Sequence, residues 1–183
     1  SVANGIYSLA QGYQSYANGI SSIAMGYQAK ACGLYSISLG QQNYAQGKNS
    51  FAAGVHSIAS GDYSTALGGG YESWGSPAIG LLPSKANGKG SLAVGSNVEA
   101  NGDYSFAIGS GATIIDQSAA FTDYALKADG DYSLSMGYFT KALGDYSTAM
   151  GKETTASGNY STAMGYDVIA DTSYSVAMGY KTW

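Results

Sequence analysis

A five-residue box with alternating small and large side chains recurs along the whole chain. Its first, third and fifth places hold Ser, Ala and Gly, whereas its second and fourth places are mostly large and apolar, as in Ser91-Leu92-Ala93-Val94-Gly95. An alternation of period two is typical of a β-strand. The box begins at thirteen serines: Ser8, Ser22, Ser36, Ser50, Ser64, Ser76, Ser91, Ser105, Ser118, Ser133, Ser147, Ser161 and Ser175.

The spacing of the boxes predicts a solenoid. Eight of the twelve intervals between box starts are 14 residues, and most boxes follow a second small motif, Ala-x-Gly, such as Ala17-Asn18-Gly19. Two glycines seven residues apart predict two corners and two strands of about four residues in each repeat, too short for helices. A fixed period of this length indicates stacked coils. We therefore predict an all-β chain of parallel coils about 4.8 Å apart, so that thirteen coils form a rod of roughly 60 Å.

The two faces of the box suggest what is buried. We expect the large apolar side chains to fill the interior of a flattened coil. The small Ser/Ala/Gly face would then lie outside, where it either packs against another chain or meets solvent. So thin a core favours stabilisation by stacking and oligomerisation.

Tyrosine precedes the box serine in eight repeats, and stacked coils would align these rings. We expect half-buried rings that cap the core, with a sugar-binding platform as the alternative. Asp62, Asp103, Asp131 and Asp145 recur one place earlier, and we interpret them as solvated turn acids. The eight tyrosines are Tyr7, Tyr35, Tyr63, Tyr104, Tyr132, Tyr146, Tyr160 and Tyr174.

Two segments interrupt the period within what we predict to be one continuous repeat domain over 1–183. Residues 69–85 hold both prolines and the only internal tryptophan. They are either a binding loop that presents Tyr71 and Trp74, our only candidate contact residues, or an irregularity in which Trp74 fills a gap. At 110–127 the flanking intervals of 13 and 15 residues still sum to 28. We expect a compensated turn shift there, with Ile114 and Ile115 packed inward.

Composition argues against several functions. Charged residues make up 11% of the chain, the net charge is −4 and arginine is absent, which disfavours nucleic-acid binding. No apolar run is long enough for a membrane span. His56 reads as a turn residue and Cys32 as an unreactive thiol, because neither has partners at catalytic or metal-ligand spacing. We predict no enzyme, cofactor or metal site.

We also expect a fragment of a longer fibre, since the repeat is in phase at both ends and shows no signal peptide.

The boxes at Ser91 and at Ser105, the latter Ser105-Phe106-Ala107-Ile108-Gly109, closely resemble the head repeats of trimeric autotransporter adhesins, the YadA-like head family. The resemblance covers essentially the whole chain. It implies a left-handed parallel β-roll, three chains around one axis, and exposure at a bacterial surface. It further implies a structural and adhesive segment of an extracellular trimeric fibre that attaches to a host-surface protein or a glycan. Because similar repeats occur in trimeric fibres of phage tails and contractile injection machines, a tail-fibre shaft or tip segment is the alternative.

Overall fold

The computed structural model describes residues 1–69, 83–115 and 121–183, and these residues contain strands and turns without a helix. Two parallel ladders form the solenoid. The box ladder contains the strands that start at the second place of each box: Leu9–Gln11, Ile23–Tyr27, Ile37–Gln41, Phe51–Val55, Thr65–Gly68, Leu92–Ser96, Phe106–Ser110, Leu134–Tyr138, Thr148–Lys152, Thr162–Ala170 and Val176–Thr182.

The second ladder, here called the alanine ladder, is built from short strands that end at the alanine of the Ala-x-Gly motif. The strand Thr162–Ala170 belongs to both ladders, because its C-terminal part pairs with Thr155–Ala156. The other strands are Val2–Ala3, Tyr16–Ala17, Lys30–Ala31, Tyr44–Ala45, Ile58–Ala59, Ser84–Ala86, Val98–Ala100, Leu126–Ala128, Lys141–Ala142 and Thr155–Ala156.

Equivalent residues of successive coils pair in register, as Ile23 does with Ile37. The parallel β-solenoid with 14-residue coils is therefore confirmed. The number of coils is not: Thr65 pairs directly with Leu92, and Phe106 with Leu134. The described strands therefore form eleven coils, not the thirteen predicted. The rod is accordingly about 50 Å long.

The segment within 110–127 differs from the predicted turn shift. Ala112–Ile115 pairs in antiparallel fashion with Phe121–Tyr124, as a separate two-stranded sheet beside the parallel ladders. The segment thus leaves the solenoid between two coils and returns to it. The inward packing expected of Ile114 and Ile115 lies outside the described side chains, and the box at Ser76 lies outside the described residues.

The interior is filled by small side chains, and the predicted orientation of the box was wrong. Ala24, Ala66, Ala107 and Ala149, at the third place of their boxes, are fully buried, whereas the large apolar neighbours point outward. The first-place serines are likewise buried in nine of the eleven coils, from Ser22 to Ser161. At the first and third places of the box the opposite strand lies so close that Ser and Ala are the residues found there. Large residues must therefore occupy the outer face.

Glycine is required where successive coils approach closely. A Cβ atom on Gly102 would lie 2.1 Å from the carbonyl oxygen of Gly130 in the next coil, although the backbone of Gly102 has no positive φ. Gly109 combines a similar collision with a φ of 143°. The two glycines of a repeat are thus fixed for different reasons, close approach in the first motif and close approach plus φ in the box.

Non-glycine residues make the corners. The eight tyrosines before the box serines have φ between 56° and 63°, and Gln14, Gln28, Gln42 and His56 occupy the same left-handed region at the other corner. Such values are uncommon outside Gly, Asn and Asp. We had expected the corners at the glycines; the box glycine instead lies inside its strand, and the turn residue follows two places later.

One interior position per coil varies. It is Ser15, Ala29, Asn43, Ser57, Ser84, Val98, Leu126, Thr140, Thr154 or Val168, all fully buried. Asn43 is held on three sides there: its Nδ2 donates to the carbonyl oxygens of Leu39 and Gly54, and its Oδ1 accepts from the Ser57 N–H. Its amide is therefore bonded at both ends, as burial requires.

Candidate functional site

The outward side of the box ladder is a continuous apolar surface, here called the box face. It consists of the second and fourth places of the eleven boxes, and all but Gln11, Thr65, Thr148 and Thr162 are apolar. All five methionines lie on it. The apolar members are Leu9, Ile23, Met25, Ile37, Leu39, Phe51, Ala53, Leu67, Leu92, Val94, Phe106, Ile108, Leu134, Met136, Met150, Met164, Val176, Met178.

These side chains touch their neighbours along the rod but face outward. Phe106 leaves 44% of its surface accessible and Met25 leaves 37%. With rungs about 4.8 Å apart and two side-chain columns, the box face covers on the order of 500 Å², near the upper limit for a soluble monomer. A patch of this size and regularity is typical of an interface with another polypeptide.

The tyrosine column lies at a corner and not over the core. Tyr104, Tyr132, Tyr146, Tyr160 and Tyr174 stack face to face, with ring centroids 4.9 to 5.2 Å apart. About half of the Tyr146 surface is accessible, so the half-buried state is confirmed whereas the core-capping role is not. Desolvation of Tyr146 and the nearby Tyr132 raise the pKa of its hydroxyl. Because the faces stack on one another, the column presents ring edges and hydroxyls.

The aspartates of the turns are not only solvated: they also form hydrogen bonds between coils. The Oδ1 atoms of Asp103, Asp131 and Asp145 each accept the backbone N–H of the equivalent residue in the preceding coil, at 2.8 to 3.0 Å. The same bond joins Asp62 to the Lys48 N–H. These carboxylates therefore tie successive coils together at the corner. Their recurrence at 14-residue spacing, immediately before the tyrosine, was the available signal.

A charged triad crosses three rungs of the alanine ladder. Glu99 lies 2.8 Å from the Lys85 Nζ and 3.2 Å from the Lys127 Nζ. Burial alone would raise the pKa of the Glu99 carboxyl, but the Lys85 hydrogen bond and charge, together with Lys127, lower it below its ordinary value. The Glu99–Lys127 pair joins the two rungs of the alanine ladder between which the chain of segment 110–127 is inserted. Lys85 and Glu99 lie one 14-residue repeat apart, but the coil predicted at Ser118 would have separated Glu99 from Lys127, which pair directly.

Four single residues were selected from the sequence: Tyr71, Trp74, His56 and Cys32. Tyr71 and Trp74 lie outside the described residues, so their role as a contact site stays a prediction. His56 lies in the corner after Gly54, as expected of a turn residue. Cys32 is exposed as a free thiol between Ala31 and Gly33. Neither His56 nor Cys32 belongs to the box face.

Within 1–69, 83–115 and 121–183, no group of three His, Cys, Asp or Glu side chains is arranged to hold a metal ion. A helix of the length and apolarity needed to cross a membrane is likewise absent from these ranges. The features that organise the described surface are therefore the apolar box face, the corner columns and the alanine ladder.

A family model described as "YadA head domain repeat (2 copies)" matches the chain in eight segments, which together run over 3–70, 86–112 and 128–182. The gaps between these segments coincide with the two interruptions of the solenoid. A search of curated proteins found no match. Heads of this kind are trimeric and exposed at the cell surface. Since the matches cover most of the chain and their spacing agrees with the coils, this protein belongs to the YadA head family, as a segment like those of trimeric autotransporter adhesins.

Proposed function

We propose that this chain is a structural and adhesive segment of an extracellular trimeric fibre, in which three copies pack through their box faces and attach the fibre to a host surface. The single observation that supports this proposal is the continuous apolar box face. Its eleven rungs run the length of the described rod.

The symmetry of the assembly follows from the rod geometry. Each coil presents the same pair of places, so three parallel rods related by a three-fold axis bring identical rungs to the same height. Phe106 and Ile108 of the three copies would then surround the axis in one layer. The five methionines suit an interface between box faces, because their flexible side chains fill irregular gaps between chains.

Packing of the three box faces against one another supplies apolar contact that the coil interior lacks. Most interior positions hold Ala and Ser, whose burial contributes little per residue compared with Leu, Ile, Met or Phe, and larger interior residues such as Leu126 are few. The apolar area that stabilises the fold therefore lies mainly between chains. Assembly would therefore add to the stability of each chain, as a fibre at a cell surface requires.

Surface display can be tested with Cys32, because its thiol is exposed in the described structure. The full-length protein would be expressed in its host and intact cells treated with a membrane-impermeant maleimide, with Cys32→Ser as the control. We expect labelling of this segment on intact cells and its loss in the variant. Labelling only after lysis would contradict surface display, and co-sedimentation with particles would favour a tail-fibre segment.

Attachment is tested in the same cells. Ile108→Asp places a carboxylate in the centre of the box face and should reduce cell attachment to host tissue, whereas Thr155→Asp, on the alanine ladder, should not. Unchanged attachment by cells that display only the dissociated variant would contradict a role for the trimer in adhesion.

A further inference from the structure

A groove of about 410 Å³ lies on the side of the rod that faces away from the box face. Its floor is the outer side of the alanine ladder, where Tyr16, Lys30 and Tyr44 occupy consecutive rungs. Ala17, Ala31 and Ala45, the next residues in these strands, are fully buried, so alternation directs the three larger side chains outward. The groove therefore stays open when the box faces of three copies pack together.

One wall of the groove is a ladder of amides. Gln42 Nε2 donates to Gln28 Oε1, and Gln28 Nε2 donates to Gln14 Oε1, both at 2.8 Å. His56 continues this corner on the next rung. Gln14 ends the ladder, and its amide nitrogen donates to none of the described residues. The wall thus offers oriented amide donors and acceptors along about three rungs.

The centre of the groove is cationic. The Lys30 ammonium lies 4.5 Å from the Tyr44 ring centroid and donates to the Tyr44 hydroxyl. The seven lining residues include no acid. Indeed, residues 1–61 contain two lysines and no Asp or Glu, whereas all twelve acids lie at or beyond Asp62. The groove is therefore positively charged on a chain whose net charge is negative.

These features match one chemical class of ligand. A pyranose presents hydroxyls for the amide ladder and an apolar ring face for Tyr16, while an anionic substituent would pair with Lys30. The volume falls within the usual range for small-ligand sites, about 300–1,000 Å³. We propose that the groove formed by Tyr16, Lys30, Tyr44 and the glutamine ladder binds an acidic sugar, a pyranose that carries a carboxylate or a sulfate.

This inference deepens the proposed adhesive function by naming a ligand class, and three copies would present three grooves around the fibre. The proposed partner is a glycan, and the binding experiment below decides whether its anionic group is a carboxylate or a sulfate. Such a site gives weak affinity per groove, which a trimer raises through multivalent attachment. A tyrosine or glutamine site alone would accept neutral sugars equally well, so the charge dependence is the decisive property.

The test measures binding of four probes to the purified chain by ligand-observed NMR at low ionic strength: methyl glucuronide, glucose 6-sulfate, methyl glucoside and inorganic sulfate. We expect one or both acidic sugars to bind at least about tenfold more tightly than the neutral glycoside and the free anion, as a charge-assisted hydrogen bond would give. The preferred acidic sugar identifies the anion. Equal binding of neutral and acidic sugars, or binding of none, would overturn the proposal.

Lys30→Gln should weaken the preferred acidic sugar about tenfold and leave the neutral glycoside unchanged. Lys141→Gln is the matched control, because Lys141 occupies the same rung position but is flanked by Lys127 and Thr155. An equal effect of both substitutions would indicate general charge attraction and overturn the site. Native mass is measured on both variants, so that failure of the groove is distinguished from failure of the trimeric assembly.

Discussion

Phe106 and Ala107 are adjacent in the chain but lie on opposite sides of the box ladder: Ala107 is fully buried, whereas Phe106 leaves 44% of its surface accessible. The third-place residue is buried in nine of the eleven boxes of the ladder, all except those of the two end coils. This arrangement places the small side chains of the box in the interior and most of the large ones on the outer face. Stability of the coil and association of the chains therefore depend on different places of one motif.

Enlarging the interior should disrupt the coil. Ala107 packs between Ala93 and Ser135 of the adjacent coils, so Ala107→Leu inserts a side chain where the two strands leave no room. We expect a loss of about 3 kcal/mol in the free energy of unfolding, measured by urea denaturation. Phe106→Leu, a conservative change on the outer face, should cost less. A larger cost for Phe106→Leu would contradict the assignment of the two faces.

Close approach between coils can be separated from backbone conformation at Gly102. Gly102→Ala would normally stabilise an ordinary backbone by reducing the entropy of the unfolded chain. Here the new Cβ would meet the Gly130 carbonyl oxygen, so we expect a lower melting temperature by circular dichroism. Lys89→Ala, an exposed change at a corner, serves as the control. A variant as stable as the parent would show that the coils separate easily.

Asn43 provides a test of polar satisfaction inside the core. Asn43→Ala leaves the carbonyls of Leu39 and Gly54 without their donor and should cost about 2 kcal/mol. Asn43→Ser should recover part of this loss, because the Ser57 Oγ lies within hydrogen-bonding distance of the equivalent pair, Ala53 and Gly68. Chemical denaturation would compare the three proteins. Equal stability of the Ala and Ser variants would argue against the hydrogen bonds as the cause.

The Glu99 triad predicts a pH-dependent contribution to stability. Because its pKa is lowered in the folded state, the carboxylate stabilises the protein above its ordinary pKa of 4.5, and this contribution is lost as the pH falls through the folded value. Thermal melts of the parent and Glu99→Gln should therefore differ at pH 7 and converge in acid. Glu153→Gln, at a more exposed pair with Lys152, should show little difference at either pH. A Glu99→Gln difference that persists in acid would exclude the ionised triad.

The sequence was sufficient to predict the period, the parallel pairing and the family, because the boxes repeat in register. It did not determine which face is inside, since alternation defines two faces without orienting them. The uniform size of the Ser and Ala places was the informative signal: an interior position must fit every neighbouring coil, whereas an outer one tolerates Thr65, Phe51 or Met164.

Two further features could not be derived from spacing. Phe106 pairs directly with Leu134, although the box at Ser118 lies between them in the sequence. The warning signs in that box were the missing Ala-x-Gly motif and Thr122 in place of glycine. Left-handed tyrosines at corners were also unexpected, because local propensity disfavours them. Stacking with Tyr146 and its equivalents, together with the Asp–backbone bonds, favours that conformation once the coils are in place.

The most direct test of assembly through the box face is the native mass of this chain, measured by light scattering across a dilution series for the parent, Ile108→Asp and Thr155→Asp. We expect about 56 kDa, three times the 18.7 kDa chain, for the parent and for Thr155→Asp, and dissociation of Ile108→Asp. Circular dichroism would establish that each sample retains its strands. A folded parent with the mass of one chain would contradict assembly through the box face, and so would a trimer that Ile108→Asp leaves intact.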